Sequence, residues 1–145
     1  MTRFSADDVM HLPVRVRGIE LGRPVDVILD RDAHRVWGFD VRCGDDAHRF
    51  LPLGASEIRS DEIAVGSALT LLDDDDLAFY RKRGSTLRSL RGATVERERR
   101  ALGVLHDIVV APDGAIAELV LDGGRRVSID ARVRIGGERR RLDAA

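Results

Sequence analysis

The chain has 145 residues, 43% of them hydrophobic and 34% charged, with a formal net charge of -1. That balance is too apolar for a disordered chain and leaves room for one or two small domains. The single cysteine, Cys43, excludes an intramolecular disulfide and a thiolate metal cluster. No apolar run approaches the roughly 18 residues of a spanning helix, and none resembles a secretory leader, so the expected location is cytoplasmic.

The charge is unevenly spread. Residues 1–76 carry nine basic and sixteen acidic side chains, whereas residues 77–145 carry fifteen basic and nine acidic ones. Such opposition suits attraction between the halves or between two copies, and it also suits a basic face for an acidic partner. Lys82 is the only lysine.

In chain order, Ser5 is placed to cap a short helical turn over S-A-D-D-V-M-H-L. Val14 to Arg17 is a short strand. Gly22 opens a strand from Arg23 to Asp30, whose Val25, Val27 and Leu29 share a face by the two-residue period. After the turn at residues 31–34, Arg35 to Cys43 returns, with Trp37, Phe39 and Val41 expected on one face and filling a core. Gly44-Asp45-Asp46 turns into Arg49 to Leu53, and residues 57–65 supply one or two very short strands. Asp73 to Arg83 reads as about two helical turns, with acidic residues at the start and basic ones at the end, complementing the helix dipole, and Gly84 as the stop. Ala93 to Arg97, Leu102 to Ala111, Ala115 to Asp122 and Arg125 to Ile129 are four further strands, with Pro112-Asp113-Gly114 as a hairpin turn. The tail 136–145 is charged and expected to fray.

The second set of strands repeats the first. Gly22 matches Gly103 and Asp26 matches Asp107 at an offset of 81 residues, and one residue fewer in the next turn brings Phe39 onto Leu119 and Val41 onto Leu121. A repeat of that length is a duplicated module. Sequential strands joined by tight turns pair as neighbours, and five or six short ones close most easily into a small, partly open barrel. The expected fold is therefore all-β: two partly open antiparallel barrels, 10–72 and 87–135, joined by a short helical linker at 73–86. Ile28, Leu105 and Val109 add a weaker apolar set, as for strands covered on both faces.

Leu21-Gly22, Asp26-Val27-Ile28, the apolar return strand, Phe50-Leu51-Pro52-Leu53 and Glu57-Ile58 together resemble the PRC-barrel domain. The family includes the cytoplasmic domain of the photosynthetic reaction-centre H subunit and the C-terminal domain of the ribosome maturation factor. Leu102-Gly103, Asp107-Ile108-Val109 and Val127-Ser128-Ile129 look like a more divergent copy, lacking the Pro-Leu pair. The resemblance implies an interaction and assembly module, not an enzyme. It makes a protein the expected partner, with RNA or the ribosome as an alternative, and a membrane transport or electron-transfer complex as another, reached only through a protein.

No residue set indicates catalysis or a cofactor. Asp26 and Asp107 could act as an acid–base pair, but each sits in its own copy, and acceptance of hydrogen bonds from backbone N–H groups of the neighbouring turn is the expected role. Asp73 to Asp76 lack the spacing of a calcium loop and read as a helix start. His11, His34, His48 and His106 show no ligand spacing; His34 and His48 flank one hairpin, and His106 is expected partly buried on the face of Ile108 and Val110. No nucleophile elbow and no phosphate-binding loop occur. The candidate partner-binding residues are Arg81, Lys82, Arg83, Arg88, Arg91, Arg97, Arg99 and Arg100, the densest basic stretch, which could hold phosphates or an acidic protein, or simply face solvent or the acidic first half.

Overall fold

The computed structural model describes residues 3–136. Strands make up 50% and helices 21%, arranged as two curled sheets, so the chain is all-β in class. The first half contributes β1 (Phe4–Ser5), α1 (Ala6–Val9), β2 (Val14–Val16), β3 (Ile19–Leu29), β4 (Val36–Cys43), β5 (His48–Pro52), β6 (Ser56–Ile58) and β7 (Ile63–Val65). Then come α2 (Asp74–Arg83), β8 (Ser85–Thr86), α3 (Leu87–Leu90), β9 (Thr94–Arg97), β10 (Arg100–Val110), β11 (Ile116–Leu121), β12 (Arg126–Ser128) and β13 (Val133–Ile135). The seven-stranded sheet runs β5-β4-β3-β2-β7-β6 with β8 beside β3, and the six-stranded sheet runs β12-β11-β10-β9-β13 with β1 beside β10. Most of the tail expected to fray, 137–145, lies outside the described residues.

The repeat extends to individual ladder pairs. Gly22 lies opposite Val14 and Gly103 opposite Val95. The β3–β4 ladder slips between Pro24 and Asp26 and again between Ile28 and Leu29; the β10–β11 ladder slips between Leu105 and Asp107 and between Val109 and Val110, the same positions 81 residues on. Both long strands begin earlier than their apolar alternation suggests, because each is fed by a two-residue turn. Arg17 and Gly18 have φ of 48° and 80°, and Glu98 and Arg99 have φ of 49° and 69°. Positive φ at both central residues is the mark of a type I′ hairpin, whose twist matches that of its strands.

The second copy, however, places an arginine where the first has glycine. A non-glycine residue in the left-handed region costs about 1 kcal/mol. Arg99→Gly is expected to raise stability by about 1 kcal/mol and the melting temperature by about 3 °C. An unchanged melting curve would show that the turn stores no such strain.

The two halves exchange their short strand–helix arms. β1 of the first half pairs with β10 of the second, Phe4 opposite Val110 and Ser5 opposite Val109. β8, at the end of the segment expected to be a linker, pairs with β3, Leu29 opposite Ser85 and Ile28 opposite Thr86. These contacts are the same contact twice at the offset of 81. The β3–β4 and β10–β11 turns also meet: Val36 N donates to Gly114 O at 2.8 Å and Ile116 N donates to His34 O at 2.9 Å. Arg35 and Ala115, which correspond in the repeat, form the bridge between them. A pseudo-two-fold axis therefore passes between Arg35 and Ala115.

The arms bury apolar side chains into one core that is continuous across both halves. It joins Val27, Phe39 and Leu51 to Ile108, Leu119 and Leu121, with Ala6 and Val9 of α1 and Leu87 and Leu90 of α3 among them. Burial of a leucine side chain is worth about 2 kcal/mol, so Leu87 and Leu90, 0% and 1% exposed, tie α3 to the sheet firmly.

The copies differ at their edges. β7 runs parallel to β2, whereas β13 runs antiparallel to β9. Among the described residues only the first half carries a helix over its outer face: α2 covers Ile28 and Phe50 with Leu77, and Trp37, Leu72 and Tyr80 pack around them. This corrects the face expected of Trp37. Phe39 and Val41 enter the main core, but the ladder slip next to Trp37 adds a residue to β4 there and turns its side chain to the α2 side. The paired slip at Val25 and His106 acts likewise. Val25 is only partly buried, and His106 is exposed rather than inward beside Ile108 and Val110.

Candidate functional site

The duplicated carboxylates sit where the arms dock. Asp107 is 6% exposed; its carboxylate accepts from the Ser5 hydroxyl and, at 3.0 Å, from the backbone N–H of Asp7. Asp26, also 6% exposed, accepts from Arg88 N at 3.1 Å, from Val27 N at 2.9 Å and from the Thr86 side chain. Ser5 and Thr86 in turn cap α1 and α3 by accepting from Asp8 N and Ser89 N. Asp7 corresponds to Arg88, and Ser5 to Thr86, at the repeat offset. Each carboxylate therefore latches the helix N-terminus of the other half's arm. The backbone donors come from across the pseudo-axis, and only Val27 N is a local one. Ser5 and Thr86 carry half of each latch. The signal that marks them is the same offset of 81, carried back to residues 4–9 and 85–90.

Burial is the main influence on Asp26 and pushes its pKa up, against the lowering effect of the N–H donors. The two carboxylates belong to separate latches, each filled by its own donors, an arrangement suited to fastening rather than to proton transfer.

The basic stretch is divided. Arg81, Lys82 and Arg83 end α2: Arg81 reaches the Asp40 carboxylate at 3.9 Å, and Arg83 lies over the Phe79 ring at 4.8 Å. The Lys82 carbonyl accepts from Arg31. Arg88 follows the start of α3 and supplies its backbone to Asp26. Arg91 bonds Asp7 at 3.2 Å and the His106 carbonyl at 3.0 Å, stitching one arm to the other half. Arg97 pairs with Asp130 at 3.5 Å. Arg99 and Arg100 lie exposed at the β9–β10 turn, with no ion pair among the described residues. The fold does not gather these eight side chains onto one element; α2 packs on the seven-stranded sheet, whereas the β9–β10 hairpin is part of the six-stranded one.

Asp73, Asp74 and Asp75 bring carboxylate oxygens within 4.8 Å of one another, but all three are exposed and Asp73 caps α2. His34 and His48 do not meet. His34 lies at the turn before β4, while His48 starts β5 opposite Arg42 and bonds Asp40 through Nδ1 at 2.8 Å. Cys43 is buried.

Two clefts are related by the pseudo-axis. One, of about 510 Å³, lies between the 31–34 turn, Leu90 and the segment 129–135; the other, of about 610 Å³, lies between Pro112, Val9 and the segment 53–60. The second adjoins a groove of about 560 Å³ walled by Trp37, Tyr80, Pro52 and Pro112. Tyr80 stacks on Phe50 with ring centroids 4.3 Å apart and meets Trp37 edge-on at 5.8 Å. Sequence patterning missed this surface because it assigned Trp37 to the core. Among the described residues no helix is long and apolar enough to cross a membrane. The sequence matches no family model and no curated protein.

Proposed function

We propose that the chain is a non-enzymatic interaction or scaffold protein built from two PRC-barrel-like halves. The observation that carries this reading is the use of the duplicated carboxylates. Asp26 and Asp107, the polar residues that the repeat preserves inside the sheets, hold the two halves together. The curled sheets and the glycine–aspartate–alternation pattern shared with that family support the same reading. Rigid pairing of the halves fixes the clefts and the aromatic groove relative to one another, as a binding platform requires.

Affinity capture of the full chain, with and without nuclease, tests this. A protein partner at stoichiometric yield that survives nuclease is the expected result. Capture dominated by nucleic acid and lost on nuclease treatment counts against it. A second reading, an RNA- or ribosome-associated factor, draws on Arg99 and Arg100 at their exposed turn. It requires that Arg99→Glu with Arg100→Glu abolish RNA binding and flatten its salt dependence.

A further inference from the structure

We propose that the outer edge of β12 is a strand-addition site and that its occupant is the chain's own segment 141–143.

The first half shows such a site filled. β5 ends the strand order of its sheet, yet its outer edge is paired. Phe50 N donates to Leu72 O at 2.9 Å and Leu72 N donates to Phe50 O at 2.8 Å, the two-bond exchange of an antiparallel pair. The Leu72 side chain packs on the cluster of Ile28, Phe50 and Leu77.

The second half offers the same edge. Phe50 corresponds to Arg126, because Leu51 lies opposite Phe39 and Val127 opposite Leu119. Among the described residues β12 has β11 as its one neighbour. Leu121 N donates to Arg125 O and Ile129 N donates to Ala117 O, so positions 125, 127 and 129 turn their backbone towards β11. By the two-residue period Arg126 turns its N–H and C=O outward. An edge of this kind readily takes an extended strand.

The sequence supplies that strand. Residues 63–73 read I-A-V-G-S-A-L-T-L-L-D and residues 133–143 read V-R-I-G-G-E-R-R-R-L-D. Gly136, Leu142 and Asp143 thus match Gly66, Leu72 and Asp73 without a gap, at an offset of 70 residues. Leu142 is thereby the counterpart of the residue that pairs with Phe50.

Length and direction agree. Six residues separate Val65 from Leu72, and six separate Ile135 from Leu142. Ile63 lies beside Val14 and Ile135 beside Val95, which correspond in the repeat. β13 runs antiparallel to β9, and this points it the right way. It advances from the level of Arg100 to that of Gly103, and Arg126 lies further along, at the level of Asp107. Residues 139–141 are arginines where the first half has Leu69, Thr70 and Leu71. Leu69 is 88% exposed, and arginine can lay its stem along an edge with its head in water, so the crossing tolerates them.

Amide exchange and nuclear Overhauser contacts in the full chain test this. A contact between the amide protons of Arg126 and Leu142 is expected, together with slow exchange at Arg126. Leu142→Pro removes the donating N–H and is expected to speed exchange at Arg126 at least about tenfold, while Val127, turned towards β11, keeps its protection. Ala145→Pro, outside the pair, should leave Arg126 unchanged. Open-chain exchange at Arg126 in the parent, no contact to Leu142, or equal exchange in the parent and Leu142→Pro overturns the proposal. Protection that rises with protein concentration would put another copy's segment on the edge and overturn the assignment to the chain's own.

Discussion

Asp107→Ala is expected to release the N-terminal arm and to lower stability by about 3 kcal/mol, or roughly 9 °C in melting temperature. The substitution strands the Asp7 N–H and the Ser5 hydroxyl, both of which donate to that carboxylate, and removes a negative charge from the N-terminus of α1. Amide exchange over residues 4–9 should rise well before exchange in β10 does, because the arm can detach while the hairpin persists. A variant that melts within a degree or so of the parent, with residues 4–9 still protected, would show that Asp107 is not a latch. Asp26→Ala should do the same to residues 85–90, where Arg88 N loses its acceptor.

Asp26 also gives this latch a pH signature. Burial raises its pKa above 3.8, so between that value and its folded value the native state binds more protons than the unfolded state. Stability contributed by this group consequently falls as pH rises through that window, and the penalty of the buried charge is fully present above it. Asp26→Asn keeps an oxygen for Arg88 N and Val27 N and removes the charge. The parent should therefore lose stability relative to this variant as pH rises through the window, measured by denaturant unfolding at a series of pH values. A constant difference between the two proteins would contradict it.

Gly38→Ala is expected to cost about 3 kcal/mol and to loosen α2. A Cβ at residue 38 would stand 2.1 Å from the Leu51 carbonyl oxygen and 2.8 Å from the Phe50 ring. β4 is clamped on both sides, by β3 and β5, so neither backbone can retreat without breaking ladder bonds. The ring would be pushed into Tyr80, which stacks on it from α2. Denaturant unfolding measures the loss, and Trp37 emission, sensitive to Tyr80 beside it, should shift in the folded variant. Gly54→Ala, with nothing within 4 Å of its Cβ, is the control and should stay within about 0.5 kcal/mol of the parent. Equal behaviour of the two variants would mean that β4 and β5 are not packed this closely.

Local pattern was enough for what local physics controls. Alternation at Val27 and Leu29, turn residues at Pro112-Asp113-Gly114, and the acidic start and basic end of α2 each act within a few residues, and each element formed close to its expected place. The repeat was legible for the same reason: Gly22 and Gly103, like Asp26 and Asp107, meet the same ladder positions in each copy.

Ladder slips are less visible, because a single added residue reverses a strand's faces without changing its composition. That reversal moved Trp37 from the core to the α2 side and His106 from the interior to the surface. It also decided that the aromatic residues would wall a groove. The basic stretch shows the same limit, since nearness along the chain let it look like one face while the fold put one end on a helix over the seven-stranded sheet and the other on a hairpin of the six-stranded sheet.

Composition, alternation and duplication thus determined, from sequence alone, an all-β chain made of two matching β meanders with charged surfaces. Tertiary structure alone decided that each half lends its first strand and helix to the other. The reason is energetic. An arm as short as Phe4–Val9 has too little contact with its own neighbours to specify a position, and it takes the place where Val9 is buried and the buried Asp107 finds its donors. For these residues that place lies across the pseudo-axis, about a hundred residues away in sequence.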